Sequence, residues 1–423
     1  MTAIGSTRRG DVTWLFAGQA LRAAGYGFTA VLLGAFLATS GYSHLRAGVL
    51  LTAIIGGTAL ASLVVGAVAD RVGRRASYAI FFVSIAVAGA IFASGAPFWL
   101  MLVVASTGTL STDVVDNGPA TTLEQVMLAD DDAGSALVYG RYNAVGAVAG
   151  AVGALGATLP GVQRPGAAGL HVWLFAVLIP VGVAGALVAT RLSPAVEIPA
   201  GPDAAGRRLS LRLPPGPSRR VVHRLAALFA VDAAGGGLVT TGFLSYFFVQ
   251  RYHASLADLG WLFFTVSLIQ AVAVRLAPVI ARRVGLVATM VGTHLPSNVL
   301  LLAVAFAPTL PIAVGLLLAR TTLSQMDVPT RQALVMTVVT PEERAVAAAV
   351  TNSARYAVRP AGPVIGGALQ QLSLGAPLVV AGLVKAAYDV ALWRWARYLP
   401  PVARGAVTGP DRAGGLPGGA SSR

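Results

Sequence analysis

The chain has 423 residues, of which 56% are hydrophobic and 11% charged, with a mean hydropathy of +0.73. Soluble domains carry roughly a quarter charged residues, so this composition excludes a water-soluble fold. The net charge of +14 sits almost wholly on arginines that punctuate long apolar runs, Lys385 being the one lysine, and this distribution excludes a nucleic-acid-binding surface. Cysteine is absent, so there is neither a disulfide framework nor a cysteine metal site. Crossing a bilayer takes about twenty apolar residues, and the apolar runs predict helices over 12–39, 46–69, 76–95, 98–124, 134–159, 170–191, 221–249, 256–281, 286–306, 310–337, 343–370 and 375–399. Breaks such as Gly95-Ala96-Pro97, Leu159-Pro160-Gly161 and Ala307-Pro308 separate them. Arg8 and Arg9 precede the first run as in a twin-arginine signal. That run, to Thr39, is too long for a signal peptide and lacks a small-residue cleavage site, so an uncleaved first helix is expected.

Arginine placement gives an orientation. Arg8, Arg9, Arg71, Arg74, Arg75, Arg191, Arg207, Arg208, Arg212, Arg219, Arg220, Arg224, Arg282, Arg283 and Arg404 fall on one predicted side, whereas the opposite loops offer Arg46, Arg164 and Arg251. Loops rich in Lys and Arg stay in the cytoplasm, which predicts a multi-pass protein of the bacterial inner membrane with both termini cytoplasmic. The expected domains are a six-helix bundle over 1–192, a Pro/Gly/Arg-rich cytoplasmic linker over 193–220, a second bundle over 221–400, and a disordered cytoplasmic tail over 401–423. The bundles read as copies. Ala69-Asp70-Arg71-Val72-Gly73 recurs as Ala281-Arg282-Arg283-Val284-Gly285, Leu15-Phe16-Ala17 as Leu228-Phe229-Ala230, and Asn143 falls opposite Asn352. A shared offset of about 210 residues is a tandem repeat in parallel orientation, the two-halves plan of a large transporter class.

Gly66-Ala67-Val68-Ala69-Asp70-Arg71-Val72-Gly73-Arg74-Arg75 resembles the G-x-x-x-D-R-x-G-R-R signature of the major facilitator superfamily, and the twelve-helix plan extends the resemblance over nearly the whole chain. The resemblance implies an all-α integral membrane fold of twelve transmembrane helices in two pseudo-symmetric six-helix bundles. It also implies that the loop aspartate docks at the N-terminus of helix 11 in one conformation, here the turn from Pro341 to Arg344, where the helix dipole favours a carboxylate. Arginines alone would anchor topology. Asp70 and Gly73 are unnecessary for that, so Gly66, Asp70, Arg71, Gly73, Arg74 and Arg75 read as a conformational latch.

A second signature, Gly362-Pro363-Val364-Ile365-Gly366-Gly367, resembles the GPxxGG motif of drug:proton antiporters. Those exporters carry it in helix 5, where this chain has only Gly146, Gly150, Gly153 and Gly156. They also carry a membrane arginine in helix 4, whereas this chain has Arg320 in helix 10. The intact copy lies in helix 11, so Gly362, Pro363, Gly366 and Gly367 are read as a gating motif, with Pro360 and Pro363 loosening the helix. Close helix packing accounts for the helix 5 glycines as well as gating does.

An ionisable side chain deep in the bilayer costs at least about 2.5–3.5 kcal/mol and should face a cavity or a partner. Gln19, Arg22 and Tyr26 share one face of helix 1, and Asp113, Asp116, Asn117 and Glu124 form a stripe on helix 4. Arg320, Ser324, Asp327 and Arg331 step along helix 10, Asn352, Arg355 and Arg359 along helix 11, and Asp232 lies midway in helix 7. Arg22 and Asp232 occupy equivalent depths and are placed to meet across the pseudo-twofold axis. In the family, helices 1, 4, 7 and 10 line the central cavity, so these residues are candidates for a substrate or proton path. Asp232, or Asp113 and Asp116, would take up a proton that a moving arginine expels; a permanently satisfied ion-pair network is the alternative. Glu124 is expected to pair with Arg71 or Arg141, and Lys385 with Asp389 at i, i+4.

These readings imply a secondary transporter moving a small organic molecule by alternating access, with proton-coupled efflux the leading form. A facilitator or importer of an organic anion, supported by the surplus of deep arginines including Arg275, is the second reading, and a non-transporting membrane sensor the third. No enzyme, cofactor or metal is expected from five histidines and no nucleotide-binding loop. The expected partners are the substrate, protons and the lipid bilayer, with no nucleic acid, and the chain is expected to be a monomer.

Overall fold

The computed structural model describes residues 2–113, 118–128, 135–159, 172–197, 217–340 and 343–396. Apolar stretches free of proline give the uninterrupted helices of the first half: α1 (Thr2–Thr39), α2 (His44–Val72), capped by Ser43 whose Oγ accepts from the Arg46 amide at 3.3 Å, and α3 (Arg74–Ala93). The fourth crossing is two pieces, α4 (Phe98–Ala105) and α5 (Pro119–Leu128). The fifth is α6 (Ser135–Leu155), and the sixth a 3-10 turn over Val172–Val177 running into α7 (Leu178–Arg191). In the second half α8 (Pro217–Gly237) and α9 (Thr241–Tyr252) share the seventh crossing, followed by α10 (Leu256–Val284) and α11 (Leu286–Phe306). The tenth crossing is α12 (Leu310–Ser324) with α13 (Asp327–Thr337), the eleventh α14 (Arg344–Val358) with α15 (Ala361–Leu369), and the twelfth α16 (Ala376–Ala396).

Single helices were expected over 98–124, 221–249, 310–337 and 343–370, and the structure interrupts all four. The reasons are local. Gly108 turns the chain at φ +75° ahead of Pro119, and Gly235-Gly236-Gly237 ends α8 before Thr240 caps α9 by accepting from the Phe243 amide at 3.3 Å. Pro329 sits at the start of α13, and Pro360 and Pro363 withhold backbone donors from the eleventh crossing. The stripe placed on helix 4 therefore does not exist: Asp113 lies on non-helical chain between α4 and α5, and Asp116 and Asn117 lie outside the described residues.

The sequence repeat is also a backbone repeat. Gly73 at φ +98° ends α2 and starts α3, and Gly285 at φ +92° does the same between α10 and α11. A positive φ is costly for any residue with a Cβ, which is why glycine stands at both positions.

The exterior is apolar. Leu60, Leu63, Trp99, Phe306 and Leu372 are exposed, and among the described residues eight stretches are by themselves long and apolar enough to cross a membrane. Among the described residues the main contacts between the halves lie at one end. There α1 packs on α9, α2 on α15, and α6 on α10, and one apolar cluster runs from Leu32, Phe36 and Leu51 of the first half into Phe243, Phe247 and Leu259 of the second. Towards the arginine-rich end the second half has its own cluster, around Val222, Phe229, Met290, Leu334 and Tyr388, which draws no residue from the first half. Among the described residues the bundles are thus joined mainly at the far end.

Candidate functional site: the charged transport path

In the first half, Glu124 on α5 is fully buried and accepts from Arg22 Nη2 at 2.9 Å, Tyr78 Oη at 2.5 Å, and the Tyr142 hydroxyl. Arg22 also donates to Gln19 and to Thr121 Oγ1 at 2.9 Å, and its guanidinium lies over the Tyr26 ring at 5.8 Å. Tyr26 Oη donates to the Thr109 carbonyl at 2.8 Å. Helical spacing brings Gln19, Arg22 and Tyr26 to one face as expected. Glu124 does not pair with Arg71 or Arg141, because it sits deep enough on α5 for α1, α3 and α6 to close around it.

The second half holds a larger network. Asp232 on α8 receives Lys385 Nζ from α16, with His294 Nε2 at 3.7 Å and Arg331 Nη1 at 3.6 Å. Arg331 also pairs with Asp327 one turn before it on α13. His294 Nδ1 lies 2.9 Å from Asp389 Oδ1, and Asn298 Nδ2 donates to Asp389 Oδ2 at 2.8 Å. Two expectations fail here. Lys385 does not pair with Asp389, since α16 turns it towards α8 and leaves Asp389 to α11. Arg22 and Asp232 do not meet, since each is taken up within its own bundle.

A third group bridges the halves where three interrupted crossings converge. Asp113, from the break between α4 and α5, accepts from Arg359 Nη2 at 2.5 Å, at the break between α14 and α15, and from the Thr241 amide that opens α9 at 3.2 Å. The Gly242 amide donates to the Thr112 carbonyl at 2.8 Å. Unlike the two buried networks, this pair is partly exposed: the side chains of Asp113 and Arg359 are 26% and 36% exposed, against 5% for Asp232 and 0% for Glu124.

Hydrogen bonds nearer the far end also cross between the halves. His44 Nδ1 and Tyr246 Oη lie 2.6 Å apart, Gln250 Nε2 donates to the Ala38 carbonyl at 2.8 Å, and the Val364 amide donates to Thr52 Oγ1 at 3.0 Å. The glycine-proline signature belongs to this seam. The Pro363 carbonyl faces Gly48, Gly367 lies against the His44 carbonyl, Gly362 against Gly237, and Gly366 against the Phe243 ring. By contrast, Gly146, Gly153 and Gly150 on α6 face Gln19, Ala24 and Gly27 of α1, within the first half.

The latch residues lie at the arginine-rich end. The Arg74 and Arg75 amides donate to Glu197 Oε2 at 2.7 Å and Oε1 at 3.1 Å, so Glu197 caps α3, and Arg74 Nη1 donates to the Val196 carbonyl at 3.3 Å. Arg71 is exposed and Gly66 faces open space. The Asp70 side chain, Pro341 and Glu342 lie outside the described residues. Of the remaining candidates, Asn352 is exposed on α14, Ser324 is buried with its Oγ unbonded, and Arg320 and Arg355 are half-buried. Sequence reasoning passed over Tyr78, Tyr142, Thr121, His294, Asn298 and Glu197. His294 and Asn298 stand i, i+4 in an apolar run, a polar pair with no business facing lipid, and that spacing was a usable signal. Among the described residues no group of three or more His, Asp or Glu could hold a metal ion.

Comparison with known proteins agrees with this architecture. Residues 15–363 match the sequence profile of the family described as Major Facilitator Superfamily. An uncharacterized membrane protein of Saccharomyces cerevisiae is 24% identical over 392 residues, covering 85% of this chain and 88% of its own. A bacterial homologue of the human lysosomal transporter Spinster, in an inward-facing and occupied conformation, superposes with a TM-score of 0.70 at 15% identity, covering 92% of this chain and 97% of its own. The nucleoside transporter NupG superposes with a TM-score of 0.67 at 15% identity, covering 90% and 96%.

Proposed function

We propose that this chain, a transporter that belongs to the major facilitator superfamily, extrudes a small organic solute across the inner membrane in exchange for protons, with Asp113 as the coupling carboxylate. The observation that carries this reading is the bond set of Asp113 to Arg359 and to the Thr241 amide, which ties the break of the fourth crossing to those of the seventh and eleventh. Arginine placement supports a cytoplasmic arginine-rich end, so the observed state faces inward, with both termini, the linker over 193–220 and the tail over 401–423 on the cytoplasmic side. The bundles over 1–192 and 221–400 would then rock about the central cavity.

In the inward-facing state Arg359 pairs with Asp113, and the cavity receives solute from the cytoplasm. Opening the outer end must separate α1 from α9 and α2 from α15, which draws Arg359 and Thr241 away from Asp113. A carboxylate stripped of its cation and its amide donor takes a proton from the outside. On the return, Arg359 comes back and expels that proton inward, so solute and proton move oppositely. Gly66, Asp70, Arg71, Gly73, Arg74 and Arg75 would latch the cytoplasmic end in the other state, and Gly362, Pro363, Gly366 and Gly367 would act as the outer seam.

The test uses the full chain in proteoliposomes, with a panel of organic solutes and a trapped pH dye. Solute movement should carry protons in the opposite direction and respond to an imposed pH gradient. Asp113→Asn should abolish the proton movement at least tenfold while leaving solute exchange at equal pH. Flux indifferent to the gradient, or coupling that survives in Asp113→Asn, would overturn the proposal.

A further inference from the structure

Among the described residues, the interior of the second half carries more positive charge than its own carboxylates balance. Asp232, Asp327 and Asp389 face Lys385, Arg331, Arg320 and Arg355, while Arg359 is taken by Asp113 from the other half. His294 is shared between Asp389 and Asp232. Lys385 and Arg331 account for Asp232 and Asp327, leaving Arg320 and Arg355 with neither an ion pair nor a side-chain hydrogen bond among the described residues.

Both arginines are half-buried, and the Nε of each is closed off and unbonded. An occluded guanidinium N–H without an acceptor costs the full desolvation of that group, and uncompensated charge at membrane depth is costlier still. Each arginine has a neutral polar neighbour on its own helix: Ser324, with its Oγ unbonded, one turn beyond Arg320, and Asn352 one turn before Arg355. Breaking a buried ion pair by leaving one partner uncompensated is costly, so two guanidinium groups without a carboxylate call for an acceptor from outside the protein.

We infer that the transported solute is an organic oxyanion, bound through Arg320 and Arg355 with Ser324 and Asn352 beside them. Guanidinium groups left over from the ion pairs call for an acceptor of negative charge. A carboxylate or sulfonate also fits the planar fork of a guanidinium, which donates two parallel N–H groups to such an acceptor. This inference rests on the transport reading above and supplies its substrate class. An anion entering from the cytoplasm would complete the charge balance of the inward-facing cavity, so binding is favoured in the state that is observed.

The experiment is heat unfolding of the detergent-purified full chain with size-matched probes: benzoate, hexanoate and benzenesulfonate as anions, benzamide and hexanamide as neutral isosteres, and benzylamine as the cation. At least one anion should raise Tm saturably, and none of the amides or the amine should do so. Arg320→Gln and Arg355→Gln should each weaken that anion at least tenfold, about 1.4 kcal/mol, with Tm of the unliganded protein within a few degrees of the parent. Arg355→Lys should recover part of the affinity, which guards against a variant that merely folds poorly. Stabilisation by the amides or amine as strong as by the anions, anion binding that survives in the double Gln variant, or no response to any anion would each overturn the inference. If anions bind but no pH gradient drives their flux, proton coupling fails and this site stands. If the gradient drives neutral or cationic solutes through Asp113, coupling stands and this inference fails.

Discussion

In the proposed orientation the outer end closes on helices that touch backbone to backbone, and one substitution there should hold the transporter open. A Cβ placed on Gly34 of α1 would run into the Gly242 carbonyl, the Ser245 Cβ and the Tyr246 amide nitrogen of α9. None of these atoms can swing aside as the end of a long side chain can, so the overlap costs about 2–3 kcal/mol, the upper part of the range for overpacked cores. The clash exists only while α1 and α9 are apposed. The gain in helix propensity on replacing glycine, about 1 kcal/mol, is present in both states and cancels from the equilibrium between them. Gly34→Leu should therefore shift the balance towards the outward-open state by roughly 30- to 150-fold. Because the chain has no native cysteine, Ser245→Cys serves as a clean reporter, its side chain being fully buried against Gly34 in the closed seam. An impermeant maleimide added outside should label it at least tenfold faster when Gly34→Leu is also present. Gly292→Leu, at a glycine with nothing within 4 Å, is the control and should change nothing. An unchanged labelling rate in a folded Gly34→Leu protein would refute the idea that this contact closes the outer end.

Two further predictions concern the buried networks. Lys385→Met leaves Asp232 without its closest cation but still near Arg331 and His294, so heat or detergent unfolding should show a loss of about 3 kcal/mol, the low end for breaking a buried pair. The double variant with Asp232→Asn should recover most of that loss, and Asp389→Asn should not, which separates the observed pairing from the i, i+4 alternative. Glu124→Gln strands Arg22 among Tyr78 and Tyr142 and should cost about 3–5 kcal/mol by the same measurement, with Arg22→Gln in the same chain restoring part of it.

Hydropathy and the arginine bias made the twelve crossings legible, because both are sums over many residues. The interruptions were less legible, since Gly235-Gly236-Gly237 and Pro329 are tolerated inside membrane helices when neighbours satisfy the freed backbone groups. Which residues share a helix face was readable for Gln19, Arg22 and Tyr26, where α1 is unbroken. It failed for Asp113, which lies on a non-helical turn, with its carbonyl accepting from Ser111 Oγ, that periodicity assigns to helix. Partners across helices were the least readable. Lys385 and Asp389 satisfy the i, i+4 rule, yet each finds a better-placed group on another helix: a local pair is worth only a few tenths of a kcal/mol and yields to a buried one.

The two halves share a plan with its charges inverted, and this sorts the deep charges into struts and a switch. Arg22 on the first crossing pairs with Glu124 on the fourth; at the matching positions, about 210 residues on, Asp232 of the seventh faces Arg331 of the tenth. Both pairs lie wholly within one bundle, are almost fully buried, and are bonded from at least two further helices, by Tyr78 and Tyr142 in one case and by His294 and Lys385 in the other. Groups held from that many sides cannot exchange partners without breaking the bundle, so they keep each half rigid as it moves. Asp113 and Arg359 differ: they belong to opposite halves, they are partly exposed, and they stand on breaks where the chain can turn. In the proposed exchange a carboxylate must change partners to carry a proton across a rocking motion, and Asp113–Arg359 is the described ion pair that spans the two halves.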